Sequence, residues 1–300
     1  MVKAVFTTRV DPTYDDLPEV RYHFPRNYLR TAEQAIGDWI IYYEPRRKSD
    51  APGSKGGRQS YFATARVMNI EQDPSRSDHY YAFIADYLEF DRPVPFKEGE
   101  HYYESTLRRE DGGTRLGPFR QAIRTMSDHE YDQILQAGYT TVLDLRDEGF
   151  GLSSTPGLAE EINVFERPFI ESIVARPFRE AAFSRHVKKA YDDTCAITGI
   201  KLINGGGRAE VQAAHIRPVA AKGPDSVRNG VALSGTIHWM FDRGLISVDD
   251  DYTILIARDQ LPDTITRLIN ADGCLRPPTI PELSPHPQFL RFHREEVFKG

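Results

Sequence analysis

The apolar and polar positions of the first 135 residues follow strand rules. The run Trp39-Ile40-Ile41-Tyr42-Tyr43-Glu44 is aromatic and β-branched, follows Gly37-Asp38 and stops at Pro45, so it predicts a strand in which Trp39 and Tyr43 share a face at period two. Tyr61 to Ile70 and Tyr80 to Phe90 predict two more, joined by a polar turn at Asp73-Pro74-Ser75, and Val5 to Thr8 predicts an opening strand. Thr31 to Ile36 reads as a short helical segment, and the basic stretch 46–57, with Gly, Pro and Ser, as an exposed loop. From Leu116 the pattern turns helical. Pro118 to Arg124 and Ser127 to Leu135 suit short helices, with Ser127 and Glu130 as a capping box, Gly138 as a stop, and His129 on the exposed first turn. Residues 139–175 show little periodicity and predict a connector. Phe183, Val187 and Tyr191 form an apolar stripe on a helix over 178–191. Val248 and Tyr252 to Ala257 predict a strand pair, Leu261 to Asn270 a helix, and His286 to Phe298 a terminal helix after a proline-rich run; nothing repeats internally.

The stretch from Glu210 to Asp249 carries the chemistry. Val211, Ala213 and His215 alternate as in a strand, which Pro218 ends because it has no N–H to give. Turn residues follow at Lys222-Gly223-Pro224-Asp225 and Asn229-Gly230, then a return strand at Val231 to Leu233. Ser234 or Thr236 is placed to cap a helix over 237–243, with Gly244 placed to end it. His238 and Asp242 are four apart, so both leave one face of that helix, where an imidazole and a carboxylate can hold one divalent cation.

In order, Tyr191, Cys195, Thr198-Gly199, Ala213-Ala214-His215-Ile216, Pro218, Asn229-Gly230, Leu233, His238, Phe241-Asp242 and Gly244 make this region resemble the HNH, or ββα-metal, endonucleases. The resemblance implies three catalytic positions: His215 as general base with a main-chain carbonyl orienting its ring, Asn229 fixing the hairpin loop, and His238 as a metal ligand, with Asp242 as a further ligand. The implied metal is Mg²⁺ or Mn²⁺, with Ni²⁺ also suited to a mixed nitrogen and oxygen set. Many family members carry a metal-binding Asp or His immediately before the base, where this chain has Ala214; Gln212, Glu210 or waters are the candidate replacements. The paired CxxC motifs of zinc-braced members are missing, and Cys195-Ala-Ile-Thr198-Gly199 keeps only one cysteine of such a knuckle.

The strand succession of the first half, with a basic loop and a proline-rich exit, is similar to the PUA-like superfamily, which includes the EVE, YTH and SRA modified-base readers. That similarity implies a pocket for an extruded base, with Tyr22, Trp39 and Tyr43 as its candidate walls among the aromatic residues. The fold class expected is therefore α+β: an N-terminal PUA-like small β-barrel with flanking helices over 1–138, the connector 139–175, and a C-terminal ββα-metal (HNH) domain with surrounding helices over 176–300.

Composition changes the picture only at its edges. Three hundred residues suit two cores, and the net charge of −6 disfavours indiscriminate DNA binding unless basic residues cluster. Arg46-Arg47-Lys48, Arg108-Arg109, Arg115 with Arg120 and Arg124, and Lys188-Lys189 are the clusters that can face a duplex. Two cysteines make no disulfide framework, and no signal peptide or membrane span is evident, which points to a cytoplasmic chain with no membrane partner. The function expected is a modification-dependent DNA endonuclease acting on double-stranded DNA near a modified cytosine, a double-strand break then calling for a homodimer or two molecules meeting on DNA. The alternatives are a non-catalytic nucleic-acid-binding protein on an HNH scaffold and an HNH restriction enzyme reading unmodified sequence.

Overall fold

A computed structural model of the chain describes residues 2–8, 17–45, 57–139, 176–257 and 261–300. The basic group Arg46-Arg47-Lys48 and nearly all of the predicted connector lie outside the described residues. The chain divides into two compact units, Met1–Val174 and Ala175–Gly300.

The first unit is built on a six-stranded sheet of β1 (Ala4–Thr7), β2 (Arg21–Pro25), β3 (Trp39–Glu44), β4 (Ser60–Gln72), β5 (His79–Pro95) and β8 (Ile123–Thr125), in the order β2-β5-β4-β3-β1-β8. A small hairpin of β6 (Lys97–Glu98) and β7 (His101–Tyr102) leaves its edge. β1 runs parallel to β3, and the other pairs are antiparallel. Four strand steps separate β2 from β1, which in a flat sheet would be about 19 Å. Yet the rings of Tyr22 and Phe6 stand 4.9 Å apart, and the Tyr22 hydroxyl donates to the Thr7 carbonyl at 2.6 Å. The sheet therefore curls into a half-barrel, helped by bulges along β4 and β5 that deepen its twist.

The curled sheet has two different faces. Phe6, Tyr22, Phe24, Ile40, Tyr42 and Val67 fill one, closed by Ala32 and Ala35 of the segment around α1 (Leu29–Gln34). Against β4 and β5 on the other packs α2 (Asp128–Gly138), whose Ser127–Glu130 capping box is present as predicted. Tyr131 of α2 bonds Thr64 at 2.8 Å, and any side chain at Gly138 would strike the Phe90 ring.

Two sequence readings fail in this unit. The predicted helix over 118–124 is a single 3-10 turn at Pro118–Arg120 followed by β8, because pairing with β1 satisfies its backbone better than an isolated turn. Arg124, expected among the basic residues facing a duplex, is instead 5% exposed. Its guanidinium grips both oxygens of the buried Glu104 carboxylate at 2.6 and 2.7 Å.

The second unit opens with α3 (Arg176–Ala190), followed by the hairpin β9 (Gln212–His215) and β10 (Gly230–Leu233), then α4 (Gly235–Asp242). β11 (Ile246–Val248) pairs with β12 (Ile254–Ile256), and α5 (Pro287–Glu296) packs on β11. The predicted helix over 261–270 is a 3-10 stretch at Asp263–Leu268. Phe183 and Val187 lean on Gly230, where a Cβ would lie 2.4 Å from Val187 Cγ2, so glycine is what lets α3 reach the hairpin. Gly244 ends α4 with φ +69°, a conformation that favours glycine.

Candidate active site

The ββα segment reads directly off the sequence pattern, and its side chains converge on one cavity of about 310 Å³. His215, His238 and Asp242 line it together with Ala213, Pro218, Val219, His293 and Val297. His215 closes β9 and His238 sits one turn into α4, so the strand end and the helix start present their imidazoles to the same space.

Asn229 hydrogen-bonds across the loop that precedes it. It is fully buried in a 3-10 turn before β10, its Oδ1 accepts from Arg217 N–H at 2.9 Å, and its Nδ2 donates to Arg217 O at 3.0 Å and Pro224 O at 2.9 Å. A single amide thereby ties both ends of the loop 217–224, a satisfied network of the kind that fixes one buried conformation.

His238 and Asp242 approach as predicted, Nε2 to Oδ2 at 3.4 Å. The other ring nitrogen, Nδ1, lies 2.7 Å from Gln212 Oε1. An amide oxygen only accepts, so Nδ1 carries the proton, and in the neutral ring the Nε2 lone pair faces the carboxylate. Two acceptors at that separation are what adjacent ligands of one cation look like, and an imidazole braced through its second nitrogen is the usual arrangement in metal sites. The residues present thus fit a divalent ion. Among the described residues, however, no group of three or more His, Cys, Asp and Glu stands in metal-binding range.

The candidate replacements for the ligand missing at Ala214 are otherwise engaged. Glu210 Oε1 accepts from Gly235 N–H at 2.8 Å, doing at the N-terminus of α4 what the Ser234 side chain does not do, and Gln212 braces His238. Ala214 itself is fully buried, and the strand presents Ala213 and His215 to the cavity.

The orientation of His215 differs from expectation. In place of a main-chain carbonyl, the Asp225 carboxylate holds its Nε2, at 3.0 Å. The ring also stacks on Phe183, with centroids 3.8 Å apart and planes 11° from parallel. Neither partner was named from sequence: Asp225 sat in a polar turn without periodicity, and Phe183 was read only as helix stripe. His293 was also missed. It is 2% exposed, stacks on Phe241 at 3.8 Å, accepts from Ser247 through Nδ1 and donates to Phe241 O through Nε2, and burial pushes its pKa down to about 4.

The three aromatic residues proposed for the base pocket are not brought together. Tyr22 belongs to the core face of Tyr42, whereas Tyr43 packs against Tyr61 and Phe119 on the opposite face. Burial raises the Tyr43 hydroxyl far above its ordinary range. Trp39 alone of the three is only partly buried.

The strand, loop and helix are arranged as in a ββα nuclease, and the family comparison agrees with that class. Residues 195–249 match the family described as HNH endonuclease. Within the second unit, residues 195–249 are an HNH endonuclease segment, and enzymes of this class depend on divalent metals. No curated protein sequence matches the chain. Among solved structures, similarity is found to "Modification dependent TagI restriction endonuclease", at TM-score 0.34 and 16% identity over 97% of this chain and 81% of that one. The "N-terminal domain of Staphylothermus marinus McrB" follows, at TM-score 0.23 and 13% identity over 31% of this chain and 76% of that one. The "Type IV phosphorothioation-dependent restriction endonuclease ScoMcrA" matches at TM-score 0.19 and 14% identity, over 79% and 46% respectively. TM-scores of this size do not establish a common fold. No helix among the described residues is long and apolar enough to cross a membrane.

Proposed function

We propose that this chain is a modification-dependent DNA endonuclease, whose second unit hydrolyses a phosphodiester of double-stranded DNA near a modified cytosine read by the PUA-like first unit. The observation that carries the reading is the shared cavity of His215, His238 and Asp242. In the reaction His215 takes a proton from water, the water oxygen bonds to phosphorus, and the P–O3′ bond breaks, leaving a 5′ phosphate and a 3′ hydroxyl. A histidine is suited to that proton transfer near neutral pH. His238 and Asp242 would hold the cation, Mg²⁺ or Mn²⁺, which when bound polarises the scissile phosphate and stabilises the leaving oxygen. Asn229 keeps the loop after His215 in place. Cleavage of both strands would use two copies of the chain.

One observation favours a rival, a non-catalytic nucleic-acid binder on this scaffold: among the described residues, His238 and Asp242 have no third acidic, histidine or cysteine partner in metal-binding range. Cleavage assays on cytosine-modified and unmodified duplexes with Mg²⁺ or Mn²⁺ separate the readings. The proposal expects cutting of modified DNA that falls about 10²–10⁴-fold in His215→Ala. No cutting of any substrate supports the binder, and equal cutting of both supports a restriction enzyme that ignores modification.

A further inference from the structure

We propose that Asp225 is the positioning residue of the general base, and that the loop clamp by Asn229 exists to hold this carboxylate against His215. The proposal rests on His215 being the base. Two restraints act on the imidazole: the Phe183 face sets the plane of the ring, and Asp225 Oδ1, 3.0 Å from Nε2, sets its rotation within that plane. An ionised carboxylate only accepts hydrogen bonds, so the Nε2 position carries the proton and, in the neutral ring that a base requires, Nδ1 keeps its lone pair. The atom that takes the proton from water is therefore Nδ1.

Three features separate this pair from a surface ion pair. Asp225 is 8% exposed, so the contact is shielded from water and salt. Its second oxygen faces Arg179 of α3, with Nε at 3.9 Å, so the carboxylate is approached from both sides, by the imidazole and by the guanidinium. And the backbone on either side is tied by one side chain, because Asn229 bonds Arg217, two residues after the histidine, and Pro224, immediately before the aspartate. The loop is held at the two points that fix the separation of His215 and Asp225.

The bland alternative is that Asp225 merely ties the loop to the strand. Asp225→Asn distinguishes the two. Arg179 offers only donors, so the asparagine oxygen would turn toward it and the amide nitrogen toward His215. The hydrogen bond survives with its direction reversed, the proton moves to Nδ1, and the base is lost while the tie is kept. We expect kcat on modified duplex to fall about 10²–10⁴-fold, with KM, DNA affinity measured in Ca²⁺ and the thermal midpoint close to wild type. Ring-nitrogen NMR of His215, assigned with His215→Ala, reports the tautomer directly: Nε2–H in the wild type and Nδ1–H in Asp225→Asn. A wild-type Nδ1–H tautomer overturns the proposal without any variant at 225, and so does a folded Asp225→Asn enzyme with kcat within about three-fold of wild type. If the wild type cuts no DNA, the nuclease reading fails, and the tautomer still decides whether Asp225 positions the ring.

Discussion

Arg124 and Trp39 show how far burial alters the meaning of a residue type. Sequence offered Arg124 as a basic contact for DNA, but with its partner Glu104 it is enclosed between Tyr43 and Tyr61, whose hydroxyl also bonds the carboxylate. Truncating one member of such a pair strands the other charge, so Arg124→Ala should cost about 3–5 kcal/mol in denaturant unfolding. DNA affinity measured well below the melting temperature should not change. Trp39 predicts the reverse. If it walls a base pocket, Trp39→Ala should lose about 1–3 kcal/mol of affinity for modified duplex alone. Tyr22→Ala and Tyr43→Ala should lower the melting temperature instead. His293 adds a pH dependence. It is neutral when folded, with a pKa of about 4 against 6.5 when unfolded, so its contribution is complete above pH 6.5 and drains away as pH falls toward 4. The loss amounts to about 3 kcal/mol, and should be missing from the pH dependence of unfolding in His293→Gln.

Among the elements, those with a strong period were legible and those defined by pairing were not. β3 runs from Trp39 to Glu44 as its composition predicts, and α2 begins at its capping box. In the nuclease hairpin, His215, Asn229 and His238 fell on the strand end, the turn and the helix where the pattern put them. β2 and β8 were missed because each is short and exists only by pairing with a strand distant in sequence, β5 and β1 respectively. Asp225 was missed for a related reason: its role depends on a loop closing back on β9, and a lone aspartate in a turn carries no period. The contact of α3 with β10 gives a direct test at this scale. Gly230→Ala places a methyl against Val187 and Phe183, and should destabilise by about 1–3 kcal/mol through overpacking. Because Phe183 also supports His215, kcat should fall further than stability alone explains.

For the whole molecule, the chain divides into two compact units, and buried apolar residues are found in each. We expect residues 175–300, expressed alone, to unfold cooperatively and to bind a divalent ion. If the first unit reads the modification as proposed, the fragment without it should cut modified and unmodified DNA equally and weakly, as cleavage titrations would show. Loss of all folding in that fragment would mean that the units are not energetically independent. The charge of the whole chain, −6, means that any affinity for duplex has to come from local basic contacts rather than from the overall field.

Asn229 is followed by glycine, the neighbour that least hinders a backbone nitrogen from attacking the side-chain amide and expelling ammonia. While the hairpin is closed, that amide is tied to Arg217 and Pro224 and is held from turning back on its own chain. Each opening of the loop removes the protection. Water then opens the cyclic imide so formed to aspartate or isoaspartate, whose carboxylate has no proton to give either carbonyl, so the loop would not close again and the base would lose its support. The expected consequence is a chemical clock, set by how often this hairpin breathes. Activity lost on warm storage should track deamidation at Asn229, read by peptide mass, more closely than it tracks aggregation.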